Sequence, residues 1–290
     1  MGEAETLFGS RAHYRWFTAI KYVVYLLLAI NVWLFLQEEL AALDHTFVDG
    51  FRLSQVIQVF SATIDTAAWL LLLILFELET SVLDDRRIHG LVKWALHGLR
   101  LICYVAVFYA FTGYVDELLD LYDVTPLPDF NACASLGQHL SLQLDLDEYA
   151  PLTAANCAAV AGPVFQLNGF SIISPGETLT SARWLAWTDV LNSAAWLLVV
   201  IVLEVEVRLQ LRGQLSDRMV HLMRVLKTII YATLFFAAAY WGYAGDLLDF
   251  WDAALWLFAF IFIEMNVFEW QYETAHGTSK DTASGDASPA

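Results

Sequence analysis

Long apolar segments, separated by short polar stretches, form the main pattern of this chain. A helix needs about 20 residues to cross a hydrocarbon core about 30 Å thick, and six segments reach that length. They predict transmembrane helices near residues 16–36, 55–77, 94–115, 184–204, 222–244 and 250–270. Hydrophobic residues make up 58% of the 290 residues, and the mean hydropathy is +0.53, so the composition indicates a membrane protein.

A pattern of five residues recurs three times within these segments. It reads Asp or Asn, x3, Trp-Leu, x3, Ile, x2, Glu, and the copies are Asp65/Trp69/Leu70/Ile74/Glu77, Asn192/Trp196/Leu197/Ile201/Glu204 and Asp252/Trp256/Leu257/Ile261/Glu264. The alternate segments carry a basic residue four positions before a tyrosine, in the pairs Lys21/Tyr25, Arg100/Tyr104 and Lys227/Tyr231. The sequence therefore predicts an all-α integral membrane protein whose six helices are three parallel helical-hairpin repeats.

The distribution of basic residues predicts the orientation of these helices. Short loops rich in Lys and Arg stay on the cytoplasmic side of a membrane. All of the 15 Lys and Arg residues except Arg52 and Arg183 lie on the side that carries the two termini. Both termini are therefore predicted to be cytoplasmic, and a bacterial inner membrane is the predicted location.

Residues 116–182 form one long connection, which is predicted to be an extracytoplasmic cap between the third and fourth helices. Its apolar content favours a packed cap over a disordered loop. Because Cys133 and Cys157 lie on the predicted oxidising side, they predict a disulfide bond. The small and polar residues 271–290 predict a disordered cytoplasmic tail after the transmembrane domain, which covers residues 1–270.

Charged positions of the repeat predict an ion-pair layer near the cytoplasmic side. Its members are Glu77, Glu204, Glu264, Lys21, Arg100 and Lys227. Charged side chains inside a membrane need partners, so we expect pairs of Glu with Lys or Arg between neighbouring helices. One interpretation is that these pairs lock the register of the hairpins, and the other is that the layer takes part in transport.

The outer ends of the repeat have no matching basic residues and are the candidate transport site. Its residues are the repeat positions Asp65, Asn192 and Asp252, together with Asp189, which lies outside the repeat pattern. If they face a hydrated axis, their oxygens can bind a cation or relay protons. The net charge of −17 comes mostly from the outer side, which disfavours nucleic acid and concentrates cations. Solvation of the outer surface is the alternative explanation for this charge.

Two functions are compatible with these features. One is an ion channel or transporter-like protein that moves a small cation or protons by means of intramembrane acidic residues. The other is a non-catalytic structural or assembly subunit of a membrane protein complex. HExxH, GxSxG, P-loop and CxxC motifs do not occur, so we expect no enzymatic activity, no metal site and no cofactor.

The bilayer is the expected partner of the chain, and a homo-oligomer or a larger membrane complex is left open. The six apolar segments contain no proline and few interior glycines. Because broken helices usually carry such residues, the segments are predicted to be straight and unbroken. Unbroken helices favour a channel or a scaffold over a secondary transporter.

Overall fold

Helices dominate the structure, a computed structural model that describes residues 11–46, 55–79, 90–211 and 217–260. The helices are α1 (Arg11–Thr46), α2 (Val56–Val59), α3 (Ser61–Glu77), α4 (Leu91–Asp120), α5 (Gly176–Leu211) and α6 (Asp217–Ala244), and residues 247–260 are also helical. The chain divides into two compact units, Met1–Leu28 with Asp252–Ala290 and Ala29–Trp251. Each contact described below lies within a single unit.

Within the described ranges, four helices have the length and apolar composition that a membrane span requires. They cover Trp16–Thr46, Leu91–Asp120, Gly176–Val205 and Arg218–Ala244. These spans fit a membrane protein in contact with lipid. In the described part of the chain, α3 has 17 residues, and the last helix is described only over residues 247–260. The six-span arrangement and the threefold repeat therefore stay predictions.

The second predicted segment is not one continuous helix. The backbone of Phe60 (φ −124°, ψ 40°) departs from the helical region, so α2 ends and α3 begins there. The prediction of unbroken helices is wrong at this point. It was based on the lack of proline and the scarcity of glycine in the apolar segments, and this break occurs without either residue. A new helix start exposes backbone N–H groups that need acceptors, and a side chain of α1 supplies one.

Helices α3 to α6 pack in chain order, with α3 on α4, α4 on α5 and α5 on α6. Gly113 permits a close approach of α4 to the start of α3, because a Cβ at this position would lie 2.1 Å from the Ser61 Oγ. Small residues at such contacts allow membrane helices to pack tightly. Further along, the ring centroids of Trp69 in α3 and Trp196 in α5 lie 6.0 Å apart. This packing holds the polar residues of three helices at fixed separations.

The connection between α4 and α5 folds into a five-stranded sheet. Its strands are β1 (Val124–Leu127), β2 (Ser141–Gln143), β3 (Tyr149–Pro151), β4 (Val164–Leu167) and β5 (Ile172–Pro175), in the order β1-β4-β5-β2-β3. Strands β2 and β5 are parallel, and the other neighbouring pairs are antiparallel. The all-α prediction omitted this sheet, because strands of three or four residues carry too little alternation to be recognised.

The disulfide bond between Cys133 and Cys157 is confirmed, and their Cα atoms lie 5.0 Å apart. It borders an apolar core that includes Leu142, Val164 and Ile173. Helix α4 continues to residue 120 and α5 begins at residue 176, so both enter the predicted cap range of 116–182. We use the name cap for residues 121–175 and the name cap end for the helix ends next to it.

Candidate functional site

Acidic side chains converge at the cap end of the unit Ala29–Trp251. This carboxyl cluster consists of Glu38, Glu39, Glu117, Asp145, Asp147, Glu148, Asp189, Asp246 and Asp249. Each member interacts electrostatically with at least one other member. Like charges at short range disfavour ionisation of all the groups at once. The carboxyl groups at this end of the helices therefore repel one another when they are ionised.

The β2–β3 turn brings the cap into this cluster. Within the turn, the Leu146 N–H donates to Asp145 Oδ1 (2.9 Å), and the Tyr149 hydroxyl donates to the Leu146 carbonyl (2.9 Å). These local bonds fix the turn in one shape. As a result, the Asp147 carboxyl hydrogen-bonds with the Glu117 carboxyl of α4.

The contact between Glu117 and Asp147 has a chemical requirement. An ionised carboxylate has acceptors but no donor, so two carboxyls can form a hydrogen bond only when one of them holds a proton. Burial, and then the nearby Asp246 carboxylate, raise the pKa of Asp147 to about 6, although its hydrogen bond with Glu117 acts in the opposite direction. Asp147 therefore changes its protonation within the mildly acidic to neutral range.

Tyr114 extends this group of titratable side chains along α4. It lies three residues before Glu117, a distance of about 4.5 Å along the helix axis. Asp65 of α3 and Asp189 of α5 both act electrostatically on the Tyr114 phenol. Trp241 of α6 donates its Nε1–H to Asp189 Oδ1 (3.2 Å). Carboxyls of α3 and α5 therefore act on one phenol, and α6 holds one of these carboxyls by a hydrogen bond.

Glu39 of α1 accepts hydrogen bonds from the start of α3. Its Oε1 accepts from the backbone N–H groups of Ala62 (2.8 Å) and Thr63 (3.3 Å), and its Oε2 accepts from the Thr63 hydroxyl. The break at Phe60 creates these donors, and the positive end of the helix dipole favours a carboxylate there. Glu39 thus caps a helix to which it is not adjacent in sequence.

Local helix capping also positions Asp246. Gly245 has a φ of 98°, which a glycine adopts without strain, and it follows the end of α6. Asp246 Oδ1 then accepts from the Asp249 N–H (3.2 Å) at the start of the next helix. This tight turn thus fixes the carboxylate of Asp246 at the start of the helix that carries Asp249, another member of the cluster.

The predicted transport residues have different environments. Asp65 is buried on α3, Asp189 is half-buried on α5, and both act on Tyr114. Asn192 is half-buried on α5. Asp252 belongs to the other unit and is half-buried. Two of the four candidates, Asp65 and Asp189, therefore share an electrostatic interaction with one phenol.

At the opposite end of the helices, acids contact bases. The Arg100 guanidinium pairs with Glu79, and Arg208 pairs with Glu204 one turn away on α5 (2.8 Å). The Tyr104 phenol interacts electrostatically with Arg100, Glu204 and Glu79. These ion pairs use two of the predicted layer residues together with two residues that the repeat pattern did not include.

The remaining members of the predicted layer are distributed between the two units. Glu77 is buried on α3. Lys21 is buried on α1, and its Nζ lies 5.3 Å from the centroid of the Tyr22 ring. Lys227 is half-buried on α6, and Glu264 lies outside the described residues. The complete layer stays a prediction.

Sequence reasoning missed four central residues of the site: Glu39, Tyr114, Glu117 and Asp147. The acid-rich outer side was visible as composition, but the pairing of Glu117 with Asp147 depends on the fold of the β2–β3 turn. Glu39 acquires its role from a helix break without a sequence signal. A polar spacing of three residues between Tyr114 and Glu117 was the one local hint, since such residues share a helix face.

In the ranges that the structure covers, no group of three or more His, Cys, Asp or Glu side chains is arranged to hold a metal ion. No protein-family model, curated protein or solved structure matches this chain.

Proposed function

We propose that this protein is a channel or transporter-like protein for a small cation, and that the proton is the species its chemistry fits best. The observation that supports this function is the hydrogen bond between the Glu117 and Asp147 carboxyls. Because this bond requires a proton, the pair is a proton-binding element at the cap end of the helices. Other small cations are the alternative cargo.

A path for protons from this pair into the helices is supported by the neighbouring groups. Tyr114 follows Glu117 on α4, and Asp65 and Asp189 act on its phenol. Asp65 is buried on a helix next to α4. Ionisable residues inside a membrane span are costly unless they serve a pathway or have partners. Asp65 is therefore the innermost proton acceptor that we propose.

The proposed direction follows from the charges of the loops and from the disulfide. Basic residues accumulate away from the cap, which favours a cytoplasmic location for that side. The bond between Cys133 and Cys157 favours an oxidising compartment for the cap. We therefore propose a bacterial inner membrane protein that takes up protons from the outer face.

Proton flux into proteoliposomes tests this function. The protein is reconstituted with a pH-sensitive dye inside the vesicles, and a potassium gradient with valinomycin drives proton entry. We expect Glu117→Gln and Asp65→Asn to lower the flux by a factor of about 10 to 100, as removal of a proton-transfer group commonly does. Glutamine at position 117 keeps a hydrogen bond with Asp147 but does not titrate.

The matched control is Glu204→Gln, which changes the same residue type in an exposed ion pair at the opposite end of the helices. Its flux should equal that of the wild type. Equal flux in Glu117→Gln and the wild type would contradict the proposal. A wild-type protein without flux would favour the alternative, a structural or assembly subunit of a membrane complex.

A further inference from the structure

A second polar feature lies at the cap end, outside the carboxyl cluster. Arg183 of α5 donates its Nε–H to the Leu121 carbonyl (2.9 Å), which follows the end of α4. Its guanidinium carbon lies 4.5 Å from the centroid of the Tyr122 ring. The Tyr122 hydroxyl in turn accepts from Trp187 Nε1 (3.2 Å). One edge and one face of the guanidinium are thus held in place.

The outer edge of this guanidinium is still available. A guanidinium has five N–H donors, and the bond with Leu121 uses one of them. Among the residues with described positions, none accepts a hydrogen bond from the Nη groups or forms an ion pair with them. A fixed, charged fork without a protein acceptor is suited to a planar or tetrahedral oxyanion.

Large exposed apolar and aromatic side chains occur close to Arg183 and to its partners Leu121 and Tyr122 along the chain. Trp184 is 62% exposed, Tyr122 is 53% exposed, and Leu119 and Trp187 are also exposed. Trp and Tyr are enriched where a membrane meets water. From Trp187 to Arg208, α5 rises by about 31 Å, close to the hydrocarbon thickness of a bilayer. These residues therefore mark one boundary of the membrane.

We infer that Arg183 binds the phosphate of a phospholipid headgroup in the leaflet next to the cap. The free edge of the guanidinium supplies the positive charge and the paired donors that a phosphate requires. The exposed side chains of Leu119 and Trp184 supply apolar surface for the acyl chains. The acidic surface of the cap end repels dissolved anions, whereas a lipid is held at this depth by the bilayer itself.

Lipid retention measured by native mass spectrometry tests this site. The protein is released from a detergent that contains dioleoyl phosphatidylglycerol, and the fraction with bound lipid is compared between variants. We expect Arg183→Gln to weaken retention about tenfold, which corresponds to about 1.4 kcal/mol. Arg208→Gln is the matched control, because it removes an arginine at the opposite end, and its lipid retention should equal that of the wild type. Equal retention in all three proteins, or an equal loss in both variants, would overturn the inference.

Three further arms identify the ligand. Dioleoylglycerol, which lacks the phosphate, should bind equally to the wild type and to Arg183→Gln, and a difference would contradict a phosphate site. Excess inorganic phosphate should leave the lipid bound, and displacement would identify a free-anion site instead. Arg183→Lys keeps the charge but loses the fork, so it should retain less lipid than the wild type; full retention would contradict paired recognition by the guanidinium.

Discussion

The charged side chains at the two ends of the helices have different kinds of partner. At the cap end, acids face acids, and the hydrogen bond between Glu117 and Asp147 joins two carboxyls. At the opposite end, acids face bases, in the pairs of Arg100 with Glu79 and Arg208 with Glu204. Opposite charges stabilise each other over a wide pH range, whereas paired acids depend on a proton. The cap end is therefore the chemically responsive region.

The two ends also differ in how far their charged side chains are exposed to water. Glu204 and Arg208 are mostly exposed, at 56% and 67%, so water screens their attraction. Except for the exposed Glu148, the carboxyls of the cluster are half-buried, so water screens their repulsion less. A change at the cap end should consequently have the larger effect, and the predictions below follow that order.

The largest expected effect on stability is a loss at alkaline pH. The pKa of Asp147 in the folded protein, about 6, lies above its ordinary value. The folded state therefore binds this proton more tightly, and the associated stability is present below about pH 4 and is lost as the pH rises through about 6. Thermal unfolding followed by tryptophan fluorescence should give a lower Tm at about pH 8 than at about pH 5. The expected decrease in the free energy of unfolding is roughly 1–3 kcal/mol.

The variant Asp147→Asn should reduce this pH dependence by the contribution of Asp147, because an amide donates to Glu117 without a titrating proton. Asp129→Asn is the control, since Asp129 is exposed in the cap and Asn tolerates its φ of 55°. The control should keep the wild-type slope. A Tm that rises from acidic to alkaline pH in the wild type would show that the acids are not close enough to repel each other.

An intermediate effect is expected at the helix break. Glu39→Ala removes the acceptor for the Ala62 and Thr63 N–H groups, and the loss of a capping carboxylate costs about 1–2 kcal/mol. Hydrogen exchange should then be faster at the first turn of α3. Glu38→Ala, one residue earlier on α1, is the control; equal exchange in both variants would exclude a specific capping role for Glu39.

The smallest effect is expected at the opposite end. Glu204→Gln breaks an exposed pair with Arg208, and such pairs contribute about 0–1 kcal/mol. Denaturant unfolding should therefore give nearly the wild-type free energy. A loss larger than that of Glu39→Ala would reverse the proposed difference between the two ends.

The long helices could be predicted from the sequence because the hydrocarbon thickness sets the length of an apolar segment. The disulfide could be predicted because Cys133 and Cys157 share a connection. The break at Phe60 could not be predicted, since its compensation comes from Glu39 on another helix. The short strands of the cap are held by pairing between distant segments, such as β2 with β5, which no local pattern encodes.

The site was predictable in part. Asp65 and Asp189 were recognisable as costly polar residues within apolar segments. Their common neighbour Tyr114 looks like an ordinary aromatic residue of a membrane helix. The partner of Glu117 is Asp147, which lies 30 residues away across two strands and a turn. Such a contact depends on tertiary structure and not on helical periodicity.

Infrared spectroscopy of the carboxyl C=O stretch tests the shared proton of Glu117 and Asp147 most directly. The wild-type protein should show a protonated-carboxyl band, and part of this band should disappear as Asp147 ionises when the pH rises through about 6. This titrating part should be lost in Asp147→Asn and unchanged in Glu204→Gln. A wild-type spectrum without a protonated carboxyl above about pH 5, or a band unaffected by Asp147→Asn, would contradict the account.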